Sequence, residues 1–315
     1  MSTIEMSSIV VIGSLNMDFV IEVDRLPMPG ETILGRNFRT IPGGKGANQA
    51  YAAAKLAGGG ATVRMVGRVG ADSFGGALKS NLAGAGVDVR GVHVTEGEAT
   101  GVACIQVDAA GQNSITVAAG ANGALMPGDI GAFDDARCVL TQLEVPIETM
   151  LEGLNRARKA GAIGILDPAP ARALTHEVLE LVEIATPNET EACLLAGVAP
   201  SRLNPSEAAA IGQRIRESGA KAVIVKLGEQ GCVYCGAEGT FAVPAFPVKA
   251  VDSTAAGDTF NAALAVALVE GREMRAAMRF ANAAAAISVT RPGAQTSAPS
   301  RAEVEEMLGA SGVSA

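Results

Sequence analysis

The chain has 315 residues, 48% hydrophobic and 18% charged, so it can bury a sizeable core in one large domain or two smaller ones. Its 33 acidic residues outnumber its 25 basic residues, and the net charge of −8 argues against a general nucleic-acid-binding surface. No apolar run reaches the ~18 residues of a membrane span, and the first residues, MSTIEMSSIV, lack the basic start of a signal peptide. These features predict a soluble cytoplasmic protein with no membrane or nucleic-acid partner.

Strand and helix patterns alternate along most of the chain. The predicted strands cover residues 8–15, 62–70, 138–145, 163–170, 183–189 and 221–228. The predicted helices cover residues 47–58, 74–86, 147–161, 174–182 and 206–220. Short apolar strands separated by helices indicate a parallel sheet that is covered on both faces. We therefore predict a single α/β domain over residues 1–315, doubly wound around a mostly parallel sheet.

Two stretches, at about 17–42 and 92–120, interrupt this alternation. Both alternate polar and apolar residues with a period of two, carry turn residues and have no helix between their strands. We expect them to form hairpins or a small antiparallel sheet. Inserted beside the ligand crevice of the α/β domain, this sheet would act as a lid.

The histidines and cysteines offer little for catalysis or metal binding. His93 and His176 have no serine, cysteine or cluster of acids beside them, so a histidine-based triad is poorly supported. Cys232 and Cys235 form one C-x-x-C pair without a second pair or a nearby histidine, which favours buried thiols over zinc ligands. We therefore expect any general base to be a carboxylate.

Two common phosphate-binding motifs are absent from the sequence. Gly13 alone follows the first strand, so the G-x-G-x-x-G motif is missing and a nicotinamide-dependent oxidoreductase is disfavoured. In PGGKGAN, residues 42–48, Lys45 is followed by Gly46 where a P-loop requires Ser or Thr. If the chain binds ATP, it does so through a different phosphate-binding motif.

The segment VDSTAAGD, residues 251–258, runs directly into an apolar helix. The first amides of a helix lack partners and carry partial positive charge, and small residues let another molecule approach them. Asp258 could cap the helix, or it could accept a proton during phosphoryl transfer beside an anion hole formed by the amides of Ala255, Ala256 and Gly257. Because alanine tolerates positive φ poorly, we expect ordinary dihedral angles at Ala255.

These motifs resemble those of the ribokinase family of carbohydrate kinases, also called the PfkB family. The family signature D-T-x-G-A-G-D is matched by DSTAAGD at 252–258, and the N-terminal signature is matched by GGKGANQAYAAAKLAG from Gly43. The family motif N-x-x-E appears as Asn188 and Glu191. The resemblance covers nearly the whole chain. It implies phosphorylation of a sugar by ATP, D-ribose being the best match, with Mg²⁺ and a monovalent cation, K⁺, as cofactors.

The resemblance also implies roles for individual residues. Asp258 would be the base, and Ala255, Ala256 and Gly257 the anion hole. The implied sugar contacts are Asn16, Asp18, Gly43, Gly44, Lys45, Gly46, Asn48 and Glu144. The implied contacts of ATP and Mg²⁺ are Asn188, Glu191, Lys226, Leu227, Gly228, Glu229, Gln230, Gly231, Gly257 and Asn282. The implied monovalent-cation site comprises Asp252, Thr254, Ser288, Arg291, Gly293 and Ser297, several of them through backbone carbonyls.

Ordinary structural explanations exist for several of these residues. Asn16 and Asp18 could form a turn after a strand, Glu144 could be a solvated loop acid, and Asn188 could cap a helix. Ser253 and Ala255 replace the commoner Thr and Gly of the family signature, which we interpret as the mark of a subtype.

Alternative functions also remain open. They are a kinase for fructose, deoxyribose or a nucleoside such as adenosine, and a non-catalytic sugar or nucleotide sensor. The 3% content of aromatic residues disfavours the nucleoside, because a base needs stacking surface. A further hypothesis is a homodimer formed through the lids, in which each lid helps to complete the neighbour's site.

Overall fold

A computed structural model describes residues 8–133 and 135–310. Its main sheet has nine strands in the order β13-β12-β11-β10-β9-β8-β1-β4-β5. They are β1 (Ser8–Ile12), β4 (Thr62–Gly70), β5 (Asp88–Thr95), β8 (Ala136–Thr141), β9 (Ile163–Leu166), β10 (Ile184–Ala185), β11 (Ala222–Lys226), β12 (Cys232–Gly236) and β13 (Gly239–Val243). The pairs β11–β12 and β12–β13 are antiparallel, and the remaining pairs are parallel.

Helices cover both faces of this sheet. They are α1 (Lys45–Ala57), α2 (Ser73–Gly84), α3 (Ile147–Ala160), α4 (His176–Leu179), α5 (Glu189–Leu195), α6 (Pro205–Glu217), α7 (Ala256–Val269), α8 (Met274–Ser288) and α9 (Arg301–Ala310). Successive residues of β1 pack on opposite sides: Ile9 and Val11 contact the core beneath α1, α7 and α8, whereas Val10 and Ile12 contact the core beneath α3. The predicted doubly wound α/β fold is confirmed.

A second sheet of four strands, in the order β3-β2-β6-β7, stands beside the main one. Its strands are β2 (Asn16–Glu22), β3 (Arg36–Gly43), β6 (Gly101–Val107) and β7 (Asn113–Ala118). Two antiparallel pairs, β2–β3 and β6–β7, are joined by a parallel pair between β2 and β6. The expectation of an antiparallel sheet was therefore wrong for its central pair, because the two hairpins enter from different points of the chain and align in the same direction.

Some predicted boundaries were also wrong. Residues 92–95 were assigned to the lid, but they end β5 and pair with β4 at the edge of the main sheet. The helix predicted over 174–182 forms only at His176–Leu179. Cys232 and Cys235 are buried free thiols on β12, as predicted. None of the helices in the described ranges is long and apolar enough to cross a membrane.

The turn that precedes α7 contradicts the expectation for Ala255. Its φ of 58° and ψ of 15° lie in the left-handed region, which costs a residue with a Cβ atom roughly 1–2 kcal/mol. Hydrogen bonds on both sides hold this geometry: the Ala256 amide donates to Ser253 O at 3.2 Å, and the Thr259 amide donates to Ala255 O at 2.9 Å. The start of the helix that carries Asp258 therefore contains a strained alanine, at the position where the family signature has glycine.

Replacing this alanine is expected to stabilise the protein. Ala255→Gly should raise the free energy of unfolding by up to about 1 kcal/mol, because relief of the left-handed strain exceeds the added entropy of the unfolded chain. Urea unfolding measures this change. The matched variant Ala256→Gly, one residue into the helix, should instead lower the free energy of unfolding by up to about 1 kcal/mol. Equal losses in the two variants would contradict the account of Ala255.

Candidate active site

The predicted site residues meet at the carboxyl ends of the parallel strands, where ligands of doubly wound sheets bind. Segments that follow β1, β8, β9, β10 and β11 reach this edge, together with the first turns of α1 and α7. A cavity of about 500 Å³ opens there. Its lining includes Lys45, Asn188, Glu191, Lys226, Asp258 and Asn282, so residues from five separate parts of the sequence face one space.

The glycines that precede and follow Lys45 are required by close contacts. A Cβ atom at Gly43 would lie 2.2 Å from Asp18 Oδ2, and one at Gly46 would lie 2.7 Å from the carbonyl carbon of Gly13. Gly44 has a φ of 88°, which favours glycine in any case. The motif therefore brings the start of α1 against β2 and against the end of β1.

The carboxylate of Asp258 does not cap α7, so that explanation was wrong. The N-cap position belongs to Ala255, and Asp258 is the third residue of the first turn. Its Oδ2 accepts a hydrogen bond from Asn48 Nδ2 at 3.0 Å, and its Oδ1 accepts one from Gln49 Nε2 at 3.1 Å. Side chains of α1 therefore hold the carboxylate, and no side chain occupies the amides at the start of α7.

Four further acids, Asp18, Glu144, Asp167 and Glu191, make the surroundings of Asp258 strongly negative around one lysine, Lys45. Burial raises the pKa of Asp18 to about 7, aided by the charges of Glu144 and Asp258, and Asp18 Oδ1 has no hydrogen-bond partner. Burial also raises the pKa of Asp258, and Lys45 opposes that rise. Burial alone would lower the pKa of Lys45, but the carboxylates of Asp258, Asp167, Glu144 and Glu191 outweigh it and raise the pKa above its ordinary value.

Glu144 and Asn16 are each fixed by neighbours. Glu144 Oε2 accepts hydrogen bonds from the Ser14 hydroxyl and, at 3.2 Å, from the Lys45 amide, so Glu144 is not a free loop acid. Asn16 Oδ1 accepts from Asn122 Nδ2 at 2.8 Å, and this bond fixes the orientation of the Asn16 amide. Asn122, which lies after β7, was not identified from the sequence.

Asn188 and Glu191 cap α5 and also line the cavity. The Glu191 amide donates to Asn188 Oδ1 at 2.9 Å, and the Asn188 amide donates to Glu191 Oε2 at 2.8 Å, which is a capping box for α5. Both residues also line the cavity. The capping explanation and the predicted site role are therefore compatible.

The segment KLGEQG, residues 226–231, only partly reaches the cavity. Lys226, Gly228 and Gly231 line it. Leu227 packs into the core beneath α5 and α6, Gln230 Nε2 donates to Leu203 O at 3.1 Å, and Glu229 lies 3.9 Å from Arg202. The side chains of Leu227, Glu229 and Gln230 therefore point away from the cavity, so the predicted contact of these three residues with the nucleotide would involve their backbone.

Asp167 is a site residue that sequence reasoning missed. It is 3% exposed, its Oδ1 accepts from Lys226 Nζ at 3.0 Å, and its Oδ2 accepts from Gln49 Nε2 at 3.2 Å. It comes directly after β9 in the sequence LDPAP, and an acid in that position of a parallel strand was the signal that could have identified it.

The residues of the predicted monovalent-cation site lie on two adjacent segments, around 252–254 and 288–297. Asp252 Oδ1 accepts from the Thr254 amide at 2.9 Å and from its hydroxyl at 2.6 Å, and Asp252 Oδ2 accepts from the Gly293 amide at 2.8 Å. The hydroxyls of Ser288 and Ser297 donate to Ala285 O and Ala294 O. The Arg291 guanidinium pairs with Glu303, so Arg291 offers a cation only its backbone carbonyl.

Oxygen ligands for a divalent cation are present but sparse. In the part of the chain that the structure describes, no group of three or more His, Cys, Asp or Glu side chains is arranged to hold a metal ion. Mg²⁺ commonly uses one or two carboxylates together with water and substrate phosphates. Glu191 beside Lys226 on the cavity wall is compatible with that mode of binding.

Comparisons with known proteins show the family to which this chain belongs. The model of the pfkB family of carbohydrate kinases matches residues 6–301. Ribokinase of Bacillus subtilis (strain 168) is 45% identical over 307 residues, 96% of this chain and 100% of the relative. Deoxyribokinase of Salmonella typhi is 37% identical over 305 residues, 95% of this chain and 98% of the relative. The structure of Arabidopsis thaliana ribokinase complexed with ribose and ATP is similar with a TM-score of 0.88 at 35% identity, covering 96% of this chain and 99% of that one. The chain belongs to the pfkB family of carbohydrate kinases.

Proposed function

We propose that this chain is an ATP-dependent ribose kinase, which transfers the γ-phosphoryl group of ATP to the primary hydroxyl of D-ribose. The observation that carries the proposal is the position of Asp258. Its carboxylate is fixed by Asn48 and Gln49, interacts with Asp18 on one side and lines the cavity of about 500 Å³ on the other. The protein similar to this chain that was solved with ribose and ATP supports the same pair of substrates.

The polar groups around Lys45 suit a small polyhydroxylated molecule. Asp18 presents an unpartnered carboxylate oxygen, Asn16 presents an amide NH₂ group, and Lys45 presents an ammonium group. Sugar hydroxyls can donate to the carboxylate and accept from the other two groups. A hydrogen-bonded sugar would therefore satisfy groups that are otherwise buried at a cost.

The cavity of about 500 Å³ suits the phosphates of ATP. Lys45 and Lys226 bring positive charge to its wall, and the uncapped amides at the start of α7 add donors and a favourable dipole. Glu191, with Asn188, would hold Mg²⁺ through water and the phosphates, and the bound ion would offset phosphate charge during transfer. Asn282 lines the same cavity and would lie near the adenine.

The reaction then follows from the placement of Asp258. As the ribose hydroxyl oxygen forms its bond to the γ-phosphorus, the bond between that phosphorus and the bridging oxygen breaks, and ADP leaves with the electron pair. The hydroxyl proton passes to the Asp258 carboxylate. The amides of residues 255–258 donate to the phosphoryl oxygens, and Lys45 keeps Asp258 ionised in its buried position.

A monovalent cation, K⁺, is part of the proposal. Two of the predicted ligands, Asp252 and Thr254, lie immediately before the strained turn at Ala255, so an ion held there would fix the amides of that turn without touching the substrate. The Asp252 carboxylate supplies the negative charge, and burial, which would raise its pKa, is outweighed by hydrogen bonds from Gly293 and Thr254 that lower it. A cation there would therefore meet an ionised group.

We also infer that two copies associate through their lids, each lid closing over sugar and helping to complete the neighbour's site. Within residues 8–133 and 135–310, the outer strands β3 and β7 each have one edge without a pairing strand. Apolar side chains lie exposed on the same sheet, with Phe38 at 61%, Ile115 at 52% and Val117 at 47% exposure. A second copy would cover both the open edges and these side chains.

2-Deoxyribose is the second candidate substrate, since one relative of similar identity is named deoxyribokinase. The two sugars differ by one hydroxyl at carbon 2, and the same primary hydroxyl would be phosphorylated. A non-catalytic sensor fits less well, because the carboxylate of Asp258 remains bound by two amides in the arrangement that a base needs.

Removal of the proposed base should abolish most of the activity. Asp258→Asn is expected to lower kcat for ribose-dependent ADP release by about 10²–10⁴-fold, because the amide cannot accept the proton. The assay uses MgATP in potassium chloride and in sodium chloride, with faster turnover expected in potassium.

The surface variant Asp135→Asn provides the control, since Asp135 is exposed beside Arg64, far from the cavity. It should retain wild-type activity. Asp258→Asn with unchanged kcat would contradict the role of Asp258, and wild-type turnover on fructose or adenosine but not on ribose would change the substrate.

Ribose binding should tighten with rising pH because of Asp18. The pKa of Asp18 is about 7 in the empty site, and sugar hydroxyls donate to its ionised form, so affinity should rise about tenfold between pH 6 and pH 8. Calorimetry at several pH values measures this rise. Asp18→Asn should bind more weakly and lose the pH dependence. An affinity of the wild type that is constant over this range would contradict the assignment.

The solution mass should be that of two chains, each of 31.7 kDa. Ile115→Lys should lower that mass to one chain, because the substitution places a charge within the apolar contact. Thr116→Lys alters the next residue of β7, whose side chain points to the other face, and should leave the dimer intact. Analytical ultracentrifugation distinguishes these results, and a monomeric wild type would contradict the dimer.

A further inference from the structure

The side chain of Gln49 connects two buried carboxylates. It lies on α1 and is fully buried. Its Nε2 donates one hydrogen to Asp258 Oδ1 at 3.1 Å and the other to Asp167 Oδ2 at 3.2 Å. Both hydrogens of the amide are therefore used, each by a different carboxylate.

The opposite end of the same amide is also fixed. Gln49 Oε1 accepts from Gln142 Nε2 at 2.7 Å. Gln142 is itself fully buried and so tightly enclosed that a Cβ atom at Gly13 would lie 2.0 Å from its Oε1. If the Gln49 amide were flipped, its oxygen would face the carboxylates of Asp258 and Asp167. The three hydrogen bonds therefore permit only one orientation of this amide.

We propose that Gln49 is a positioning residue, whose amide fixes the carboxylate of Asp258 relative to the pair formed by Asp167 and Lys226. The inference rests on the proposed kinase function. Lys226 Nζ lies 3.0 Å from Asp167 Oδ1 and faces the phosphate cavity, so the bridge sets the distance between the base and a phosphate-binding charge. Asn48 holds the other oxygen of Asp258, and the two amides together leave the carboxylate no freedom to rotate.

A neutral donor between two acids has a second consequence. Buried carboxylates that share a site tend to share a proton, which would disable a base. Hydrogen bonds from an amide favour the ionised form of each carboxylate. The charged groups that face Asp258 are Lys45 from α1, Asp18 from β2, Asp167 after β9 and Lys226 from β11. The uncharged amide of Gln49 lies between Asp258 and Asp167 and donates a hydrogen bond to each of them.

The test compares the pH dependence of kcat in three variants. Gln49→Met keeps the size of the side chain but donates no hydrogen bond, so the acidic limb of the profile should move up by about one pH unit. Gln49→Glu keeps the shape of the side chain and adds a third acid beside Asp258 and Asp167, so the acidic limb of its pH profile should move to still higher pH. Activity of Gln49→Met should recover at high pH, since the base is then ionised.

The control is Thr149→Val. Thr149 lies on α3, away from the cavity, and the substitution removes the buried hydrogen bond that its hydroxyl donates to Leu125 O at 2.8 Å. This variant should be less stable but keep the wild-type pH profile. An equal loss of kcat for Gln49→Met at every pH, or an acidic limb that does not move, would overturn the positioning role.

A measurement without turnover separates this inference from the proposed function. The ¹³C resonance of the Asp258 carboxyl can be followed during a pH titration of the wild type and of Gln49→Glu, with Asp258→Asn used to assign the signal. The inference requires a higher midpoint in the variant even if ribose proves not to be the substrate. An unchanged midpoint would overturn it, whereas absent turnover of every sugar with a shifted midpoint would contradict only the kinase proposal.

Discussion

The hydrogen bonds between α1 and the Asp258 carboxylate are the interaction on which the rest of the site depends. Asp258 is buried, so its charge is costly unless donors surround it. Asn48 and Gln49 supply those donors from a helix whose own start is fixed against β1 and β2 by closely approaching glycines. The position of the base is therefore set by the main sheet, by α1 and by α7 together.

The same arrangement joins the two halves of the site. Lys45 begins α1 and lies among carboxylates from both the sugar side and the phosphate side, which explains why its ammonium group stays charged despite burial. Asp167, after β9, and Lys226, at the end of β11, extend the network across β10 toward Glu191. Charges that would each be unstable when buried alone are stabilised as an alternating set of acids and lysines.

The fold and the central motifs could be predicted from the sequence because their signals are local. Alternating apolar strands and helices indicate the doubly wound sheet, and the glycines around Lys45 and the small residues before Asp258 mark close approaches within a few residues. Gln49, Asp167, Asn122 and Gln142 were missed because their partners are distant in sequence: Gln49 and Asp258 are separated by 209 positions, and Asn122 and Asn16 by 106. Such contacts exist only after the sheet has formed.

Two other errors have similar causes. The left-handed conformation of Ala255 follows from hydrogen bonds across the turn, which override the preference of alanine itself. The end of β5 has the alternating pattern of a lid strand, but pairing with β4 draws it into the main sheet. Local pattern gives the type of an element, and its neighbours decide the sheet to which it belongs.

The central claim is that Asp258 activates the primary hydroxyl of a sugar against the γ-phosphate of ATP. The most direct measurement is ³¹P NMR of the products formed from ribose and MgATP, with proton correlation to locate the new ester. The account predicts one phosphate ester on carbon 5 of ribose, formed together with ADP. Inorganic phosphate as the product, or an ester on another carbon, would contradict it.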